Sequence, residues 1–205
     1  GLAGSDLRYF KNFEEYVGSG QERHISTNFR SHKSIVELGN SLMEGLRFPA
    51  KANTTKSGEV LFADLGDFLP SPIEEKLHGG DSFTPALLRV VGRALEAGEE
   101  VVLLSRRNAV PWYVNYESKQ KDRVPDLGAF LVHIRSFFPE QVRRRITIST
   151  ALKYKGLEKQ TVIVLDALER SYPLIHPSWV FFKLFGDHPA TICDEERRLF
   201  YVALT

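Results

Sequence analysis

The sequence predicts an α/β fold, a mainly parallel sheet covered by helices, from three observations. A helix-type stripe of Leu87, Leu88, Val91 and Leu95 runs directly into the wholly apolar strand Val101-Val102-Leu103-Leu104, the order that parallel crossovers require. The same helix-then-strand order recurs before Ile146-Thr147-Ile148-Ser149-Thr150 and Val162-Ile163-Val164-Leu165. A length of 205 residues is enough for one sizeable domain with a real core.

Taken in order, Phe10, Phe13, Tyr16 and Val17 recur at spacings of three and four before Gly18-Ser19-Gly20, which predicts a short amphipathic helix and a loop. From Ser34 the positions Ile35, Leu38, Leu42, Met43 and Leu46 keep helical spacing and bury one stripe. Residues 48–58 read as a polar loop and 59–63 as a strand. Gly66, Pro70, Pro72, Gly79 and Gly80 mark 66–83 as a long connection. Thr84 is expected to cap the next helix with Pro85 at its first position, and Gly98 to end it. One further helix is expected over 127–138. Thr191-Ile192-Cys193-Asp194 reads as a capping box for the last helix, with Glu195 and Glu196 near its N-terminus and Arg197 and Arg198 paired with neighbouring acids. Trp179-Val180-Phe181-Phe182 and Phe185 form an apolar insert that is either core or a partner-docking patch.

Lysine and arginine number 27 against 26 acids, so any attraction to nucleic acid must come from local patches rather than net charge. Arg143-Arg144-Arg145 and the stretch Lys119 to Arg123 are such patches, or else solvated faces. The single cysteine, Cys193, excludes an internal disulfide and suits a reducing cytoplasm. No apolar run approaches the ~18 residues of a membrane span, and Gly1-Leu2-Ala3-Gly4 has no signal-peptide blocks. The expectation is a cytoplasmic protein with no membrane partner and no metal site of its own.

Three motifs carry the chemistry. Thr27-Asn28-Phe29-Arg30-Ser31 precedes Ser34-Ile35-Val36 and Asn40; Ile146 to Thr150 precedes Lys155-Gly156-Leu157-Glu158; and the sequence closes with Glu195-Glu196-Arg197-Arg198-Leu199-Phe200-Tyr201-Val202-Ala203-Leu204-Thr205. In this order they resemble motifs IV, V and VI of the UvrD/Rep-like superfamily 1 DNA helicases. Val102-Leu103-Leu104-Ser105-Arg106-Arg107-Asn108 is similar to the family's strand ending in arginine and asparagine. Gly1 to Asp6 would fit the tail of motif III, or Gly1 is a tag remnant. The resemblance implies a second RecA-like motor domain over 24–205, with 1–23 as the tail of the inter-domain connection. The short Asn108–Ile146 interval leaves no room for a large accessory insertion, which points to the compact helicase IV-like type.

The resemblance also implies roles. Phe29 replaces a tyrosine that stacks on adenine, Arg30 is the catalytic arginine reaching the γ-phosphate, and Glu158 meets the ribose. Gly156 allows close backbone approach to the nucleotide. Thr150, Arg106 and Asn108 are expected at single-stranded DNA. The family's usual histidine in motif V is Leu152 here, which puts its coupling role in doubt. ATP and Mg²⁺ are the implied cofactors of the intact protein. The sequence has no G-x-x-x-x-G-K-[ST], so the phosphate cradle and Mg²⁺ ligands would lie on an N-terminal RecA-like partner domain. The family's next motif VI residue, an arginine, would follow Thr205. The chain therefore reads as a fragment of an ATP-dependent DNA helicase, inactive alone. A non-catalytic RecA-like binding or interaction module, or the motor part of a helicase–nuclease, are the alternatives.

Overall fold

The computed structural model describes residues 12–18, 20, 23–64, 73, 76, 83–111, 126–169, 171–175 and 188–205. The expectations for Gly1 to Asp6, for Phe10, for most of the 66–83 connection, for Lys119 to Arg123 and for the Trp179–Phe185 insert lie outside them.

The described elements run α1 (Phe13–Val17), β1 (Thr27–Asn28), α2 (Lys33–Leu42), β2 (Lys51–Ala52), α3 (Phe83–Glu96), β3 (Val101–Ser105), α4 (Leu127–Ser136), α5 (Glu140–Arg143), β4 (Ile146–Thr150), β5 (Thr161–Val164) and α6 (Pro189–Leu204). β3 lies between β4 and β5, parallel to both, with Val101 opposite Ile146 and Thr161. β1 and β2 form a separate two-stranded parallel ladder.

β3 is buried at every position, and its alternation decides the layers. Val101 and Leu103 face Leu87, Val91, Ala94 and Leu95 of α3, Phe130 and Ile134 of α4, and Ile146. Val102 and Leu104 face the other way, onto Ala151 and Ala203, with Leu199 and Phe200 of α6 packed alongside. Each such aliphatic side chain contributes about 1.5–3 kcal/mol when fully buried. Helices on both faces of a parallel sheet make the α/β, RecA-like arrangement; the expected helix-then-strand order holds before β3 and β4 but not before β5, since residues 151–160 form turns and loop with no helix.

Local signals fix the ends of these elements. Gly98, at φ +85°, closes α3, with its own N–H on the Leu95 carbonyl and the Glu99 N–H on that of Ala94, the left-handed ending that favours glycine. Asp126 caps α4 by accepting the Ala129 N–H at 2.8 Å. Arg143 and Arg145 donate to backbone carbonyls of Phe138, Leu95 and Glu99, so two arginines of that basic cluster hold the scaffold together.

Four further expectations need correction. The loop over 48–58 contains β2, because Lys51 and Ala52 ladder onto Thr27 and Asn28. Residues 59–63 form no strand and pair with neither described sheet; Leu61 and Phe62 are exposed. α3 starts at Phe83, which puts Thr84 and Pro85 inside its first turn, where proline's missing N–H costs nothing. α6 starts at Pro189, with His188 in the N-cap position but making no side-chain capping bond, because proline's fixed φ suits the first helical position. Thr191 is therefore inside the helix, and Glu195 and Glu196 lie in its second turn.

Candidate functional site: two arginine–glutamate pairs joined by one helix

The motif IV segment turns sharply between β1 and α2. The Asn28 side-chain oxygen accepts the backbone N–H groups of Arg30 and Ser31, both at 2.9 Å. This side-chain-closed turn leaves the Phe29 ring 76% exposed and sets the direction of Arg30. Arg30 then meets Glu158 from motif V, its Nε 3.4 Å from Oε2.

Glu158 is placed by the loop after β4. The Thr150 carbonyl accepts the Tyr154 N–H at 3.0 Å, and its hydroxyl accepts the Lys153 N–H at 3.3 Å. Gly156, at φ +89°, takes the left-handed conformation that favours glycine, and the Tyr154 hydroxyl donates to the Glu158 carbonyl at 3.2 Å. Thr147, Tyr154, Gly156, Leu157, Glu158 and Lys159 line an open pocket of about 590 Å³. Its lining includes neither Phe29 nor Arg30. Thr150 is buried, and Leu152 is exposed.

A second cluster sits at the C-terminal ends of β3 and β5, the edge where open α/β sheets place ligands. The Asp166 carboxylate accepts the Ser105 hydroxyl at 3.0 Å and the Arg106 backbone N–H at 2.8 Å. The Arg106 guanidinium grips Glu196 with two bonds, Nε to Oε2 at 2.9 Å and Nη2 to Oε1 at 2.6 Å. Glu196 also accepts the Leu174 N–H at 3.1 Å. Burial pushes the Asp166 carboxyl above its ordinary value, against the pull of its hydrogen bonds. The hydrogen bond to Glu196 holds the Arg106 guanidinium above its own ordinary value, against the opposing effect of burial. Burial also raises the Tyr172 hydroxyl, which has no hydrogen-bond partner among the described residues. The guanidinium expected at DNA is thus engaged by Glu196, while Asn108 two residues on is exposed.

α6 links the two regions. Arg197 donates to the carbonyl oxygens of Leu42 and Glu44, rather than pairing with an acid. The Arg47 guanidinium lies 4.2 Å from the Tyr201 ring centroid. Gly39 admits this crossing, since a Cβ there would stand 2.7 Å from Tyr201 Cε2. The buried Ser31, adjacent to Arg30, donates its hydroxyl to the Thr205 carbonyl at 2.9 Å. Asp166 and Gly39 belong to none of the motifs, and Ser31 and Glu196 lie within motifs that assign them no such contacts. Asp166 had a local signal, an acid closing an apolar strand run at the ligand-bearing edge; the others depend on partners distant in sequence.

Among the described residues no three His, Cys, Asp or Glu side chains converge on a possible metal site, and no helix is long and apolar enough to cross a membrane. No curated protein and no solved structure matches the chain. Residues 113–205 match the UvrD-like helicase C-terminal domain family, a span that holds β4, the Gly156 loop, β5 and α6 but begins after Arg30 and Arg106. With a parallel sheet between helices, and with the closing Glu195–Thr205 run on the helix packed against that sheet, the 113–205 part of the chain is similar to a UvrD-like helicase C-terminal domain.

Proposed function

We propose that this chain forms the second wall of the ATP cleft, and part of the single-stranded DNA track, in an ATP-dependent DNA helicase. The observation that carries the reading is the 3.4 Å approach of Arg30 to Glu158 beside the exposed Phe29. It brings together a flat apolar ring, a half-exposed cation and a carboxylate, the set that an adenine, a phosphate and a ribose hydroxyl require. ATP fits these residues as half a site. The Mg²⁺ ligands and the phosphate cradle are assigned in this reading to an N-terminal RecA-like domain, since the sequence has no G-x-x-x-x-G-K-[ST].

Phe29 would stack on the base and Glu158 would take the ribose, which frees Arg30 for phosphate bound to the facing domain. Gly156 keeps the loop backbone close to the nucleotide. Thr150 and Asn108 are the proposed DNA contacts, sequence-independent ones to the phosphodiester backbone. The single cysteine fits work in a reducing cytoplasm.

The test is single-turnover ATP hydrolysis by the intact protein, with and without single-stranded DNA, in wild type and Arg30→Ala. DNA-stimulated hydrolysis that drops ~10³-fold or more in the variant is the expected result. Hydrolysis indifferent to Arg30 removes the finger role. Absence of any hydrolysis favours a non-catalytic binding module, a reading that the exposed Leu152 at the usual histidine position supports.

A further inference from the structure

We propose that the Arg106–Glu196 pair is the positioning contact through which the strand ends facing DNA act on the helix that sets Arg30. The inference rests on the motor reading above and adds the joint that would couple its two ends. Neither residue touches nucleotide in this scheme; both act through α6.

On the DNA side, the bend over 106–109 leaves β3 with two ties. Its Arg106 backbone N–H is held on Asp166, and its guanidinium on Glu196. Both are charge-assisted bonds, and the guanidinium fork fixes orientation as well as distance. Any shift of Asn108 and its neighbours is therefore transmitted to Glu196 rather than absorbed by a flexible side chain. On the other side, α6 is a continuous helix from Pro189 to Leu204, so Glu196 and Tyr201 are ~8 Å apart on one stiff rod.

From Glu196 onward that rod is attached to α2 and to the turn carrying Arg30 at three points. Arg197 holds the end of α2 through the carbonyl oxygens of Leu42 and Glu44. Tyr201 lies against Gly39 with no room for a side chain between them. Ser31, one residue from Arg30, is bonded to the Thr205 carbonyl. Close-packed contacts and hydrogen bonds thus run without interruption from the β3 edge to the finger, the kind of physical network that carries coupling between sites.

The experiment uses the intact protein as wild type, Glu196→Gln, and the double variant Arg106→Gln/Glu196→Gln. ATP turnover is measured with and without saturating single-stranded DNA, alongside thermal unfolding. Glu196→Gln is expected to keep the DNA-free rate and the KM for ATP while the DNA-stimulated kcat drops about 3- to 30-fold. The double variant should be no worse than the single, because both remove one shared contact. Equal loss of the DNA-free and DNA-stimulated rates would show a structural role only and overturn the inference, as would no change in either. If Glu196→Gln does not fold, the double variant, which leaves no uncompensated buried charge, carries the same comparison. A wild type without DNA-stimulated hydrolysis overturns the motor reading itself and takes the inference with it; an indifferent variant overturns the inference alone.

Discussion

The two arginine–glutamate pairs have the same chemistry and opposite circumstances. Arg30 and Glu158 meet at 3.4 Å with side chains 46% and 73% exposed, whereas Arg106 and Glu196 meet at 2.6 Å with side chains 19% and 11% exposed. In water the first pair gains little and is easily exchanged for another partner. The second is withdrawn from solvent, so losing one member strands the other. Burial, not residue type, separates an arginine free to meet a ligand from one committed to the scaffold.

The largest expected effect tests the buried pair. Glu196→Ala should destabilise the domain by about 3 kcal/mol, read by urea unfolding, and a loss no larger than that of an exposed pair would erase the distinction. Next is the crossing that carries the buried pair's helix to the exposed one. Gly39→Ala gains helix propensity but forces a methyl into the Tyr201 ring, for a net cost of about 1–2 kcal/mol in the same assay.

A pH measurement sharpens the comparison at Asp166. Its carboxyl is raised in the fold by burial above the ordinary value of 3.8. Between that value and the higher folded one, the native state binds the proton more tightly than the unfolded chain does. Stability from this group is therefore present at the acid end and is lost as pH rises through the window. Asp166→Asn should flatten that slope in unfolding curves collected upward from about pH 4; an unchanged slope would assign the carboxylate a solvated environment. The smallest effect belongs to the exposed pair. Glu158→Ala should change stability by less than about 1 kcal/mol, with even that diminished by added salt.

The legible and illegible parts of the molecule divide along the same line. β3, β4 and α4 are legible because apolar periodicity is local, whereas Phe29, Arg30, Gly156 and Glu158 are singled out by contiguous motifs whose nucleotide roles are proposals. That Arg30 and Glu158 meet follows from the fold. The pairing of Arg106 with Glu196 is not legible from the strand end alone, since the partner is ninety positions away and no local pattern announces it. Glu196 reads in sequence as a helix-start acid, and only the earlier start at Pro189 places it where the guanidinium can reach. The 59–63 segment misled for the complementary reason: a strand is defined by its neighbour, and Leu61 and Phe62 carry the composition without one.

Arg197 grips α2 only by its backbone, through the carbonyl oxygens of Leu42 and Glu44. Every residue presents the same carbonyl, so this end of α2 can change its side chains without loosening the grip, provided the chain path is kept. Arg197 has no such freedom, because a shorter or unforked side chain cannot reach both oxygens. The joint is thus tolerant on one side and exacting on the other, and substitutions should accumulate on α2 long before they reach Arg197.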